Sequence, residues 1–230
     1  MAPERRGADT RSRILEVSER LFATRGYAGT HLQCIAEEVG VQKTALYHYF
    51  ESKAALYTAV IEGIVERFEA AVGRALVAEA PERERLAGLL DDLGDLFARR
   101  PQLAPLLIRI FLDPVPARSE LLGKRIRDIV ESILVFYRRG AEGGAFARLS
   151  SRNAFLSIFG MLLFHYASGP FGAAVLGVED PLDPEVVAWR RSEVRRLVLH
   201  GALPRELEAE PEPGGSDDRG DRGGGRGGSA

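Results

Sequence analysis

The sequence predicts an all-α protein: a three-helix head of helix-turn-helix type at the N-terminus, then a larger helical body, about nine helices in all and no strand. Three observations carry this reading. Apolar residues recur at spacings of three and four along almost the whole chain, without the alternation that strands require. Prolines and glycines punctuate the pattern at helix-length intervals. A composition of 45% hydrophobic and 28% charged residues over 230 positions leaves enough apolar area for a substantial core.

Residues 1–9 read as a flexible arm. Asp9 and Thr10 are cap candidates for a first helix striped by Ile14, Val17, Leu21 and Phe22, which Gly26 can close in a left-handed conformation. Two short helices around Gly40 come next. A long helix runs from Ser52 to about Ala80 on Leu56, Val60, Ile64 and Phe68, and Pro81 stops it. Leu86, Leu90, Leu93 and Phe97 stripe another helix up to Pro101. Leu103, Leu106, Leu107 and Ile110 make a short apolar one, ended by Pro114 and Pro116. The next stripe, Ile126, Val130, Ile133 and Tyr137, breaks at Gly140, Gly143 and Gly144. Ser151–Ala167 and Pro184–Ala202 complete the count, joined by a Gly/Pro-rich connection over 168–183. From Pro204 the chain has almost no apolar residue to offset the entropy of ordering, so 204–230 is expected to be a disordered, solubilising tail.

The informative stretch is Thr30 to Lys53. Leu32, Ile35, Ala36 and Val39 give its first helix an inward face, Gly40 permits a sharp turn, Val41 plugs the corner, and Leu46 with Phe50 face inward from the second helix. At about 100° per residue from Leu46, the side chains of Thr44, Tyr47 and His48 point away from the core, with Gln42 and Lys43 at the exposed first turn. All five can hydrogen-bond. A major groove about 12 Å wide admits such a helix, N-terminal residues foremost. Lys53 follows the cap candidate Ser52, where its charge and the helix dipole would act on one phosphate. Gln33 stands three after Thr30, a capping-box spacing, so it is either a base reader or a helix cap.

At these residues the chain resembles the TetR family of bacterial transcriptional regulators. Ile14-Leu15, Leu21-Phe22, Gly26-Tyr27, Thr30, Ile35-Ala36, Gly40-Val41, Leu46-Tyr47, Phe50 and Ser52-Lys53-x-x-Leu56 match the family's DNA-binding domain in order and spacing. The motif-level resemblance covers about residues 10–60. The remainder agrees only in length, helix count and the break before the last two helices. The resemblance implies a DNA-binding domain over 10–56 and an effector-binding and dimerisation domain over 57–203. It implies that Gln33, Lys43 and Thr44 read bases, that Tyr47 and Lys53 hold phosphate, and that His48 does either. The chain departs from the family pattern at Gln42, where a serine would cap the helix; at His31, where a small hydroxyl would touch phosphate; and at Tyr49, where histidine is more frequent.

For the body, the resemblance implies that the last two long helices pack against their twofold mates. Phe155, Phe159, Leu162, Leu163, Trp189, Val194, Leu197 and Val198 are the dimer candidates. Arg109, Phe111, Tyr137, Met161, His165 and Tyr166 are pocket candidates, with simple core packing as the alternative for each. A small, largely apolar effector would wedge the body open and change the separation of the two reading heads, releasing a palindromic operator in double-stranded DNA. Control by a protein partner, and activation in place of repression, stay open.

Charge and cysteine usage bound the rest. The net charge of −2 combines a tail of seven acids and four arginines with a body of 27 bases and 26 acids, so nucleic acid must be held by a local basic patch within roughly 10 Å of screening. Cys34 is the single cysteine, which excludes an internal disulfide and a multi-thiolate zinc site. His31 lies beside it in helical spacing, but no second ligand pair is evident, and neither metal nor cofactor is expected. Histidines at 31, 48, 165 and 200 are scattered, and no nucleophile elbow or phosphate loop is present, so an enzyme is not expected. The longest apolar run, Phe155 to Tyr166, contains His165 and is too short to span a membrane, and the N-terminus shows no secretory stretch. The expected location is the cytoplasm.

Overall fold

A computed structural model of the chain describes residues 3–112 and 120–202, and every described element is helical. The order is α1 (Pro3–Gly29), α2 (Leu32–Val39), α3 (Lys43–Leu46), α4 (Lys53–Val77), α5 (Glu82–Arg99), α6 (Leu103–Leu112), α7 (Glu120–Glu142), α8 (Ser151–Ala167), α9 (Gly169–Leu176) and α10 (Pro184–Ala202). The expected tail and the stops at Pro114 and Pro116 lie outside the described residues.

Helices α1 to α3 pack with the start of α4 into the head. Ile14, Phe22, Ile35, Ala36 and Leu56 are fully buried there, and Tyr27 and Tyr57 close edge-on, with ring centroids 5.1 Å apart. Gly40 adopts φ 80°, ψ 34° and donates its N–H to Ala36 O, turning the chain sharply into α3. The Ser52 hydroxyl accepts from Ala55 N at 3.0 Å and caps α4. The body is built by α4 to α8 and α10, with α5 against α4, α8 and α10, and α8 against α6 and α7. Helix α6 also packs on α1, so body and head meet at two places, α4 and α6.

Several expectations need correction. There are ten helices among the described residues, because the connection 168–183 contains α9. Pro170 sits in its first turn, Phe171 to Leu176 continue it, and Gly177 ends it at φ 68°. Residues 3–9, read as a flexible arm, belong to α1, so Asp9 and Thr10 lie inside the helix and not at its cap. Gly26 does interrupt α1, at φ 70°. Gly140 does not break α7; it makes room for the Phe146 ring, which a Cβ there would meet at 2.3 Å, and the chain turns at Gly144, φ 78°. The capping box does not form: His31 precedes α2 without a side-chain cap, while the buried Thr30 hydroxyl donates to Gly26 O at 2.7 Å.

Gly40 has open space where a Cβ would stand, so only its backbone conformation resists substitution. Gly40→Ala should therefore lower stability by about 1–2 kcal/mol, read as a shift in the urea midpoint. An unchanged midpoint would contradict the turn geometry.

Candidate nucleic-acid interface and apolar cavity

The head presents α3 as a short polar ridge. Gln42, Lys43, Thr44, Tyr47 and His48 are all exposed, while Leu46 and Phe50 are buried beneath them. Only Lys43–Leu46 is α-helical; the bonds Tyr49 N to Leu46 O and His48 N to Ala45 O continue it as a tighter turn, so the ridge is two turns long. Gln42 precedes α3 with no side-chain cap, as its residue type implies. Tyr47 keeps 48% of its surface exposed, unusual for a large aromatic side chain in a well-packed head. On the neighbouring helix, His31 and Gln33 are exposed, and the Gln33 amide donates to Glu37 Oε1 at 2.8 Å instead of to a helix end.

Lys53 stands apart from this ridge. Its ammonium donates to Tyr27 O at 2.8 Å and Thr30 O at 3.0 Å and lies 4.4 Å from the Tyr27 ring centroid. Two of its three protons are thus committed to carbonyls at the end of α1, so it staples α4 to α1 and keeps one proton for another partner. Arg109, expected in a pocket, does the matching work from α6: Nε and a terminal nitrogen donate to Ala23 O at 2.9 Å and Thr24 O at 3.1 Å. A third cross-link centres on Glu19, 3% exposed, whose carboxylate accepts from Arg67 of α4, Arg100 and Gln102. Burying a carboxylate is costly unless its oxygens are paired, and both Glu19 oxygens accept from donors here.

Inside the body, α4, α5, α6, α7 and α8 line a half-open cavity of about 400 Å³. Of the pocket candidates, Phe111 and Tyr137 line it. Met161, His165 and Tyr166 do not: Met161 packs on the core, and the Tyr166 hydroxyl donates to Gly94 O at 3.2 Å, with burial raising its pKa. His165 is buried near α10, where burial, and after it the charge of Arg190, lower its pKa. Phe155, Phe159 and Leu162, expected in a dimer interface, instead form the α8 wall of the cavity, and Leu163, Val194 and Val198 are buried within the chain's own core. Trp189 and Leu197 remain exposed as expected. The sequence reading missed their companions Phe164, Phe171 and Val175, which are 58%, 63% and 68% exposed. Helix α8 is apolar on every side, so spacing alone could not tell wall from outer face.

Among the described residues no group of three or more His, Cys, Asp or Glu side chains could hold a metal ion, and no single helix is long and apolar enough to cross a membrane.

Comparison with known proteins agrees with this geometry. The sequence profile described as "Bacterial regulatory proteins, tetR family" matches residues 14–60, from the middle of α1 through α2 and α3 into the start of α4. The chain is similar to the HTH-type transcriptional activator FasR of Mycolicibacterium smegmatis, 31% identical over 41% of this chain and 43% of FasR, so that match spans less than half of its relative. It is 28% identical to the HTH-type transcriptional regulator RutR of Escherichia coli (strain K12) over 84% of this chain and 90% of RutR. Among solved structures, AibR in complex with isovaleryl coenzyme A and operator DNA superposes with a TM-score of 0.66 at 21% identity, covering 84% of this chain and all of that one; this likeness is of fold.

The staple makes a stability test that separates the two lysines of the head. Lys53→Met leaves Tyr27 O and Thr30 O without their donor and should cost about 1.5–3 kcal/mol. Lys43→Met, at an exposed site with no internal partner to lose, should stay within about 0.5 kcal/mol of wild type. Equal urea midpoints for the two variants would contradict the staple.

Proposed function

Since the chain belongs to the TetR family of bacterial regulatory proteins and is a helix-turn-helix transcriptional regulator, we propose that it acts in the cytoplasm as a dimeric repressor, released from a palindromic operator by a small, largely apolar effector. The observation that carries this reading is the polar ridge of α3, five exposed hydrogen-bonding side chains over a buried Leu46 and Phe50. Lys43, Thr44 and Gln33 read base edges; Tyr47, His48, His31 and Gln42 hold the backbone, joined by the third proton of Lys53.

A dimer supplies the second ridge. Phe164, Phe171, Val175, Trp189 and Leu197 are exposed apolar side chains on α8, α9 and α10 that a second copy would cover, and two ridges about 34 Å apart meet half-sites one helical turn apart. Effector control runs from the cavity through its own walls. Ile61, Ile64, Val65 and Phe68 belong to α4, which starts at the Lys53 staple, and Ile110 and Phe111 belong to α6, which carries Arg109 to the end of α1. A ligand that favours a wider cavity shifts both, and a coupling of roughly 1–3 kcal/mol would weaken operator binding about 5- to 150-fold. Activation is the second reading, favoured by the likeness to FasR; it uses the same contacts with the operator placed differently.

Selection of genomic fragments by the purified protein tests this directly. A palindromic site should emerge; Tyr47→Ala should weaken binding to all sequences and flatten the salt dependence, while Lys43→Ala and Thr44→Ala should relax the tolerated bases at a cost of about 1–3 kcal/mol per pair. No preference over random competitor at low salt, or a monomer at micromolar concentration in sedimentation, would overturn the reading.

A further inference from the structure

Of the residues lining the cavity, only Tyr137 and Ser151 carry polar side chains, and the Tyr137 hydroxyl is already engaged, donating to Ala147 O at 3.2 Å. Ordinary small-molecule sites place several polar groups to orient the ligand. Away from Tyr137 and Ser151, a ligand carbonyl or hydroxyl would lose its water with nothing to replace it. The buried part of the ligand is therefore hydrocarbon throughout.

Shape narrows the class further. The cavity follows α7 from Ile126 to Tyr137 and α8 from Ser151 to Leu162, a length of about 16 Å at the helical rise. A cavity of about 400 Å³ running that far along two helices suits an elongated ligand lying parallel to them.

One end abuts a charged depression on the surface. Ser151 also lines a separate surface depression, whose other walls are Arg138, Ala141, Glu142, Arg148 and Leu149. Two guanidiniums and one carboxylate line it, and Arg138 also pairs loosely with Glu131 at 3.9 Å. Farther along the cavity wall, Phe111 and Leu156 offer exposed apolar side chains, 59% and 66% accessible.

We propose that the cavity binds the single extended hydrocarbon chain of an amphiphile whose anionic head group stays outside, across Ser151, against Arg138 and Arg148. This rests on the effector-responsive reading above and assigns its ligand class. The shared chemistry is a straight-chain acyl group ending in a carboxylate, or in a thioester that carries phosphates.

Titration calorimetry on the full chain, with probes kept below their micelle concentrations, tests this. The probes are decanoate, dodecanoate, tetradecanoate, 1-tetradecanol and tetradecanoyl-coenzyme A. Along the carboxylates, each added methylene should tighten binding about fourfold until the chain outgrows the cavity. Tetradecanol should bind about tenfold more weakly than tetradecanoate, and the double variant Arg138→Ala/Arg148→Ala should erase that difference. Ile129→Trp, which fills the cavity, should abolish binding of every chain. The surface double variant keeps the test open should the tryptophan disturb folding. Tighter binding of the free acid identifies a carboxylate as the head recognised, and tighter binding of the thioester identifies phosphates; either supports the proposal. Binding without chain-length dependence, or an alcohol that binds as tightly as the acid, would overturn it. Intact operator binding with no chain binding would remove the ligand class alone. Chain binding with no operator preference would remove the regulator reading and leave the cavity assignment standing.

Discussion

The C-terminal end of α1 depends on cations supplied by other helices. The last carbonyls of any helix lack intrahelical donors, and here the helix is also interrupted at Gly26. Lys53 reaches Tyr27 O and Thr30 O from α4, and Arg109 reaches Ala23 O and Thr24 O from α6. A positive group at the negative end of a helix dipole gains from the dipole as well as from its hydrogen bonds. Because the two cations come from different helices, the same pair of contacts that completes α1 also sets the position of the head against the body. Glu19, one to two turns earlier on α1, adds α4 and the α5–α6 corner through Arg67, Arg100 and Gln102. The head is thus not a bead on a linker; its placement is part of its own hydrogen-bond completion.

That arrangement explains what could be read from the residues and what could not. The turn at Gly40, the Ser52 cap, and the inward Leu46 and Phe50 depend on neighbours a few residues away, so their spacing was sufficient. Lys53 misled because its partners are backbone carbonyls 23 and 26 residues earlier, and a carbonyl leaves no mark in the sequence. A lysine after a serine cap looks the same whether it faces phosphate or the protein. Arg109 misled for a related reason: a charge in an apolar helix signals that a partner exists without saying which. Helix α9 hid behind Gly169, Pro170 and Gly172, residues that usually mark loops but here stand at a helix start and at a close contact with Ser168.

Helix α8 shows the limit of periodicity most directly. Phe155 and Phe159 stack at 5.6 Å and face the cavity, Leu162 joins them, Leu163 goes to the core, and Phe164 meets Phe171 outside. Three apolar destinations on one helix cannot be separated by counting, because each wants the same residue types. The stripe on α7 faces inward, and its breadth, with Ile129 added to Ile126, Val130 and Ile133, lines the cavity, while the three isoleucines also pack on the core.

Helix α4 belongs to both halves of the molecule, stapled at Lys53 and forming a cavity wall from Ile61 to Phe68. Its 25 residues make one unbroken rod, so the rotational phase between staple and wall is fixed by residue count. Inserting a single residue between Lys53 and Ile61 would turn one end against the other by about 100°, pointing either the lysine or the isoleucine into the wrong surroundings. Length variation among descendants of this sequence should therefore be excluded from that eight-residue interval, while the turns between other helices have room to lengthen or shorten.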